Sequence, residues 1–211
     1  VPTRGKYIVI EGQDATGKTT QADLLQEYLQ SEGKKVIHIK EPGGSPISEE
    51  LRRIILDGTL ARTPMTNILL FTAIRHELWN QVIKPALEAG TWVICTRNYY
   101  STLAYQAYGE GSDPRVIGAI TQTFTDKEYM HPDHALILYF ADTSVREKRL
   151  RERGGSGKPD AFETRDADFQ NRVNEAYLTI AKEYGIQLVD ATRPIDEIQT
   201  ELRKRVHHLS H

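Results

Sequence analysis

The apolar run Tyr7-Ile8-Val9-Ile10-Glu11 passes directly into Gly12-Gln13-Asp14-Ala15-Thr16-Gly17-Lys18-Thr19, and then into a stretch with Ala22, Leu24, Leu25, Tyr28 and Leu29 at helical spacing. The first run reads as a buried strand. The last reads as a helix stopped by Gly33. Between them lies the pattern G-x-x-x-x-G-K-[ST], whose glycines let successive backbone N–H groups curl around phosphate oxygens. The helix that follows adds its positive end. A strand, a phosphate-shaped loop and a helix in this order commit the chain to an α/β architecture with a ligand at the carboxyl ends of its strands. Lys18 supplies a point charge for β and γ phosphates, and the Thr19 hydroxyl suits Mg²⁺. Gly12, Asp14, Ala15, Thr16, Gly17, Lys18, Thr19 and Thr20 are thus the candidate nucleotide-binding residues, with Thr19 as metal ligand.

The same alternation continues. Val36–Lys40, Trp92–Cys95, Ala135–Phe140 and Ile186–Val189 read as further strands. Helices are expected over Ser48–Asp57 with Ser48 as cap, over Met65–Ala89 with Pro85 as a kink or boundary, and over Ser101–Tyr108 and Val116–Thr125. Three more are expected over Ser144–Arg153, Asp166–Tyr184 and Ile195–Val206. Five apolar strands alternating with helices predict a parallel sheet covered on both faces. The 211 residues suit one domain. Glycine-rich Gly154–Lys158 reads as a mobile insert within it.

Composition narrows the partners. Lys plus Arg is 27 and Asp plus Glu is 29, a net charge of −2, which excludes a strongly basic nucleic-acid coat. Charged residues at 27% and hydrophobic residues at 39% describe a globular chain. The single cysteine, Cys95, excludes an internal disulfide and a multi-cysteine zinc site. No apolar run approaches the ~18 residues of a membrane helix, and the segment after Lys6 is too short for a secretory signal. The expectation is a cytoplasmic protein that binds neither membrane nor nucleic acid. His207, His208 and His211 read as a solvated tail.

An N-K-x-D guanine-reading motif is absent. The third strand ends in Cys95-Thr96-Arg97 without the carboxylate that motor ATPases place there for Mg²⁺. Arg52, Arg75 and Arg97 lie beyond strands or on adjacent helices, where guanidinium forks suit phosphate recognition.

Over nearly its whole length the chain resembles the thymidylate kinases of the bacterial type. The resemblance rests on EGQDATGKTT at Glu11–Thr20, EPGGSP at Glu41–Pro46, LLFTAIR at Leu69–Arg75, Arg97 with STLAYQ at Ser101–Gln106, RLRERGG at Arg149–Gly155 and VDA at Val189–Ala191. It implies a three-layer P-loop kinase fold, five-stranded, with a small lid over about residues 150–165. It also implies transfer of the γ-phosphoryl group of ATP to dTMP with Mg²⁺, and a homodimer. Residue by residue, it implies that Phe71 stacks on thymine and Arg75 bonds the base edge, while Thr102 and Gln106 read the N3 side. Arg52 and Arg97 would hold the dTMP phosphate, Asp14 would accept the sugar 3′-OH, and Tyr105 would pack against C2′. Glu41 would order the loop around the acceptor phosphate or a Mg²⁺-bound water, and Arg149 would lie over adenine. Lys18, Arg97, Asp14 and Arg153 are the expected catalytic groups.

The chain departs from the family pattern at Thr96, where the family has Asp, and at Tyr99. It departs again at Ala15 and Ala161, where an arginine stands in one subtype or the other. Arg153 is the expected substitute, then Arg165, with Arg151 and Lys158 also near. Two alternatives stay open: a kinase for another pyrimidine nucleotide such as dUMP, and a nucleotide-binding protein with weakened catalysis.

Overall fold

The computed structural model describes residues 3–152 and 161–210. Its five strands, β1 (Tyr7–Gly12), β2 (Val36–Lys40), β3 (Trp92–Thr96), β4 (His134–Tyr139) and β5 (Gln187–Asp190), form one sheet in the order β2-β3-β1-β4-β5. Every pairing is parallel, with Val9 of central β1 opposite Cys95 on one side and Ala135 on the other. All strands therefore end at the same edge.

Alternation along the strands divides the core in two. Tyr7, Val9, Val93, Cys95 and Ile137 face one layer, packed by α3 (Pro64–Leu78), α9 (Ala167–Tyr184) and the segment Leu103–Gly109. Ile8, Ile10, Ile94, Leu136 and Leu138 face the other, packed by α1 (Lys18–Ser31) and α10 (Ile195–His207). The predicted three layers follow from this period of two in β-branched residues.

The helices show where local signals mislead. Ser48 is not the cap of α2 (Pro46–Leu56). Ser45 is, its hydroxyl accepting from Ser48 N at 3.3 Å while Pro46 takes the first turn and Ser48 is buried inside it. Pro85 marks the expected boundary, in the first turn of a new α-helical segment. After α3 the chain widens into a π-helical turn, Trp79–Ile83, where Lys84 N bonds back to Trp79 O, and α4 (Lys84–Glu88) continues from it. The wider turn accommodates a ring that would otherwise clash with the preceding carbonyl. The expected helix at Ser101–Tyr108 is a short α5 (Tyr99–Thr102) followed by a second π-helical segment, Leu103–Gly109. Gly109 is required there by close approach, since a Cβ would lie 2.6 Å from the Phe169 ring. Beyond α6 (Pro114–Phe124), a single turn α7 (Lys127–Met130) precedes β4. After β4 comes α8 (Ser144–Glu152), and the insert Gly154–Lys158 lies outside the described residues. The tail is helical rather than frayed at His207 and His208; His211 is outside the described residues.

At the end of β1 the fully buried Glu11 holds the β3–α5 turn. Its carboxylate accepts from Asn98 N at 2.7 Å, Ser101 N at 3.1 Å, Ser101 Oγ at 2.7 Å and the Tyr177 hydroxyl at 3.0 Å. A negative charge at the start of α5 is favourable, and the bonds compensate its desolvation. Glu11→Ala strands these donors in the interior, a loss of about 3 kcal/mol or more. Scanning calorimetry is expected to show a Tm lower by about 6–12 °C for a chain of this size; a change within about 1 °C would refute the role given to Glu11.

Candidate active site

The phosphate loop is shaped by left-handed residues. Ala15 has φ 70° and Gly17 φ 89°. Gly12, at φ 141°, passes so close to β4 that a Cβ would sit 2.2 Å from Leu138 O. Inside the loop the Gln13 carbonyl accepts from Lys18 Nζ at 2.9 Å and from Thr16 Oγ1 at 2.8 Å. Gly17 is the N-cap of α1, no side-chain cap is made there among the described residues, and the first turn carries no acid. The N–H groups and positive end of α1 are thus left to an external anion. Thr19 and Thr20 are exposed at that end. Arg149 reaches the loop from α8, with Nη1 3.3 Å from Ala15 O, Nη2 2.8 Å from Ala191 O and its guanidinium 5.8 Å from the Phe140 ring centre.

Beside the loop, past the ends of β2 and β3, lies a cleft of about 250 Å³. It is lined by Asp14, Glu41, Arg52, Phe71, Arg75, Arg97, Thr102, Tyr105 and Gln106. The fold therefore gathers all the candidate acceptor-site residues, drawn from separate stretches of sequence, into one place. Lys40, Pro42, Leu56, Ser101, Phe162 and Glu163 complete the lining.

Arg97 and Asp14 form the charged centre of the cleft. Arg97 has φ 76°, a strained conformation for a non-glycine residue. It is held by Arg97 N to Ile10 O at 3.1 Å and by its side chain, which bonds Gly12 O, Ser101 Oγ and Asp14 Oδ1 at 3.2, 2.9 and 2.5 Å. The Tyr105 hydroxyl donates to Asp14 Oδ2 at 2.9 Å. Burial alone would raise the Asp14 carboxyl, but Arg97, Lys18 and the Tyr105 hydroxyl outweigh it and hold the group well below the usual carboxylate range. Burial, with Arg97 nearby, brings the Lys18 ammonium down to about 7 against the pull of Asp14 and Glu11.

A second centre lies at the other end. Arg75 is buried, donating from Nε to Glu41 at 3.1 Å and from Nη2 to Asn98 O at 2.9 Å. Glu41 also accepts from the Tyr129 hydroxyl at 2.8 Å. Glu41 lines the cleft, and its carboxylate orients the Arg75 guanidinium. The third nitrogen, Arg75 Nη1, has no partner, nor have Gln106 Oε1 and Thr102 Oγ1, although all are buried. Buried polar atoms left unpaired beside a cleft mark a site awaiting a ligand. Arg75 Nη1 is a donor and Gln106 Oε1 an acceptor; both residues line the cleft with Phe71, over whose ring the Arg75 guanidinium sits at 5.4 Å. Arg52 donates to Pro42 O at the mouth.

Sequence reasoning missed Phe162, whose ring lies 6.2 Å from Phe71 and 5.9 Å from Tyr105, and it gave no role to Glu11, Ser101 or Tyr129. A lone acid ending a buried strand was the available signal for Glu11; nothing local marks the others. Arg153 and Lys158 lie outside the described residues. Arg165, the second choice for a catalytic cation, is instead paired with Glu110 at 2.9 Å and lies over Phe169 at 4.2 Å. Arg151 is exposed, 4.0 Å from Glu147. The hydroxyl of Thr96 is directed to β2, 3.4 Å from Ile39 O and 3.3 Å from His38 Nε2, while His38 Nδ1 pairs with Asp23.

The Lys18 environment sets a pH signature. A polyphosphate in the loop raises the lysine again, so binding takes up a proton wherever the free protein has lost it, which is above about pH 7. Calorimetric titration with a non-hydrolysable nucleoside triphosphate at about pH 8, in buffers of different ionisation enthalpy, is expected to show net proton uptake. Lys18→Met is expected to abolish it. Equal heats in all buffers would contradict this assignment.

Comparison with known proteins agrees with this geometry. The family pattern described as "Thymidylate kinase" matches residues 10–202. A thymidylate kinase of Exiguobacterium sibiricum is 39% identical over 96% of this chain and 94% of its own length. Those of Prochlorococcus marinus and Methylococcus capsulatus are each 37% identical, over 95% and 97% of this chain and 96% of their own. A crystal structure of thymidylate kinase from Ehrlichia chaffeensis superposes with a TM-score of 0.77 at 28% identity, covering 96% of this chain and 99% of that one. A family pattern over residues 10–202 and relatives 37–39% identical over nearly the whole chain lead to one conclusion: the chain belongs to the thymidylate kinase family.

Proposed function

We propose that this chain transfers the γ-phosphoryl group of ATP to dTMP, giving dTDP and ADP. The observation that carries the reading is the unpaired donor–acceptor pair, Arg75 Nη1 and Gln106 Oε1, beside Phe71 in the same cleft as Arg97 and Asp14. Thymine offers O4 as acceptor and N3–H as donor, the complement of that pair, and its ring suits the aromatic face of Phe71. Arg97 and Arg52 lie where the acceptor phosphate would be neutralised, and Asp14 with Tyr105 would take the sugar. Lys18, Thr19 and the α1 N-terminus would hold the triphosphate.

A phosphate monoester with a second pKa near ~6 is largely dianionic at neutral pH. Asp14 therefore orients and needs no proton, and the chain's work is alignment and charge neutralisation. Mg²⁺ fits as an ion carried by the nucleotide: no cluster of three or more carboxylate, histidine or cysteine groups is present among the described residues, and Thr19 offers one hydroxyl. Thr19 would hold such an ion through its hydroxyl, and the ion would supply neutralisation of phosphate charge. Arg149 contacts the loop backbone, a position compatible with an adenine above it. Residues 1–211 are read as a single domain with a lid over about residues 150–165, in keeping with one continuous sheet. No described helix is long and apolar enough to cross a membrane, and the buried free thiol of Cys95 accords with a reducing cytoplasm.

A coupled assay of ADP release with Mg²⁺ and a panel of nucleoside monophosphates tests the reading. Turnover is expected with dTMP, and Phe71→Ala is expected to raise KM for dTMP at least tenfold, about 1.4 kcal/mol. Turnover with dUMP alone, or dTMP binding without turnover, would select one of the alternatives.

A homodimer is supported by an exposed apolar face: Ile54 on α2, Met65 and Leu69 on α3, and Val116 and Phe124 on α6, with Leu69 and Phe124 each 51% exposed. α3 packs beside both α2 and α6, and exposed apolar residues on these neighbouring helices are what a second copy would cover. Sedimentation is expected to give a dimer, and Leu69→Glu a monomer. A monomeric wild-type protein would overturn this.

A further inference from the structure

Gln106 is an amide, and an amide can turn either its oxygen or its NH₂ toward the cleft. The two ends demand opposite partners, so whatever fixes the orientation also decides which base is read. The structure contains a group suited to this task. Gln106 Nε2 donates to Glu110 Oε2 at 3.4 Å, one helical turn away. The other carboxylate oxygen, Glu110 Oε1, accepts from Arg165 Nη1 at 2.9 Å. The Glu110 side chain is only 8% exposed. Arg165 is braced over the Phe169 ring at 4.2 Å, and Phe169 is itself fully buried against Tyr105. The backbone between the two residues is held as well: Arg172 Nη2 donates to Gly109 O at 3.2 Å and Ser112 N to Gln106 O at 2.9 Å.

A carboxylate accepts hydrogen bonds and does not donate them. Facing Glu110, Gln106 must present its NH₂ there and its oxygen to the cleft, where Gln106 Oε1 is buried and unpaired. We infer that Glu110, anchored by Arg165, is a positioning residue that locks the Gln106 amide with its acceptor toward the base, so that the site demands N3–H and rejects cytosine. This rests on the dTMP reading above and deepens it. Cytosine has a lone pair at N3 and an amino group at C4. Against Gln106 Oε1 it sets acceptor on acceptor, and against Arg75 Nη1 donor on donor. Thymine satisfies both. Buried groups left unpaired by the wrong ligand are the strongest source of discrimination available to a small site.

The test is Glu110→Gln, nearly isosteric but able to donate as well as accept. With the lock removed, Gln106 is free to turn its NH₂ to cytosine N3. Efficiency with dTMP is expected to change less than about threefold, because the introduced amide oxygen can still accept from Gln106 Nε2 and leave the required orientation accessible. For dCMP, kcat/KM is expected to rise at least about tenfold, mostly through KM. A role in folding alone would lower both together. A dCMP efficiency that stays level or falls in step with dTMP would overturn the inference. A wild-type enzyme with no preference for dTMP over dCMP would overturn both the dTMP reading and this inference. A wild-type preference that survives unchanged in Glu110→Gln would overturn the inference alone. Should that variant fail to fold, Arg165→Gln is read the same way: loosening Glu110 is expected to raise dCMP efficiency about threefold, and no rise counts against the lock.

Discussion

The arrangement of this site depends on one buried carboxylate. Glu11 ends the central strand and takes donors from the β3–α5 turn and from α9. Through Ser101 it fixes the partner of Arg97, and Arg97 fixes Asp14. The phosphate loop and the acceptor cleft are thus tied to a single point on β1, the strand at the centre of the sheet. A strained backbone at Arg97 persists because its surroundings over-determine it. Phosphoryl transfer needs two ligands in fixed register more than it needs a reactive side chain. A rigid junction between their sites meets that need.

Charge is arranged by burial more than by number. The net charge of −2 is close to neutral, yet Lys18, Arg52, Arg75 and Arg97 gather at one edge of the sheet. Asp14 and Glu41 are placed among them and oriented by them. Inside a partly desolvated cleft, such pairs hold geometry that would be lost between exposed side chains. The arginines also divide their work. Arg75 spends two nitrogen positions on the protein and keeps one for the cleft. Arg97 spends its guanidinium on Asp14, Gly12 and Ser101.

What could be read directly from the chain was local. The five strands and the loop from Gly12 to Thr19 follow from period and from glycine placement, because each is stabilised by contacts or torsions within a few residues. The arginines Arg52, Arg75 and Arg97 were legible from position and chemistry, but the other candidate acceptor residues only through resemblance, since Phe71 alone is indistinguishable from a core phenylalanine. Local reading failed where a neighbour competed. Ser45 out-competed Ser48 as cap because Pro46 sets the first turn. The π-helical turn before Pro85, Trp79–Ile83, is announced by no period. The bond from Arg75 to Glu41 spans 34 residues and that from Tyr177 to Glu11 spans 166, separations no local pattern reaches.

The sequence by itself determined an α/β chain with a phosphate loop between β1 and α1, since strand, glycine turn and helix start are encoded by adjacent residues. The tertiary structure alone decided which polar atoms are satisfied and which are left facing the cleft. Arg75 and Gln106 are each left with one unpaired atom once Glu41, Asn98 and Glu110 have engaged their other groups. The proposed base recognition rests on those residual valences, and residual valence is a property of the packed molecule.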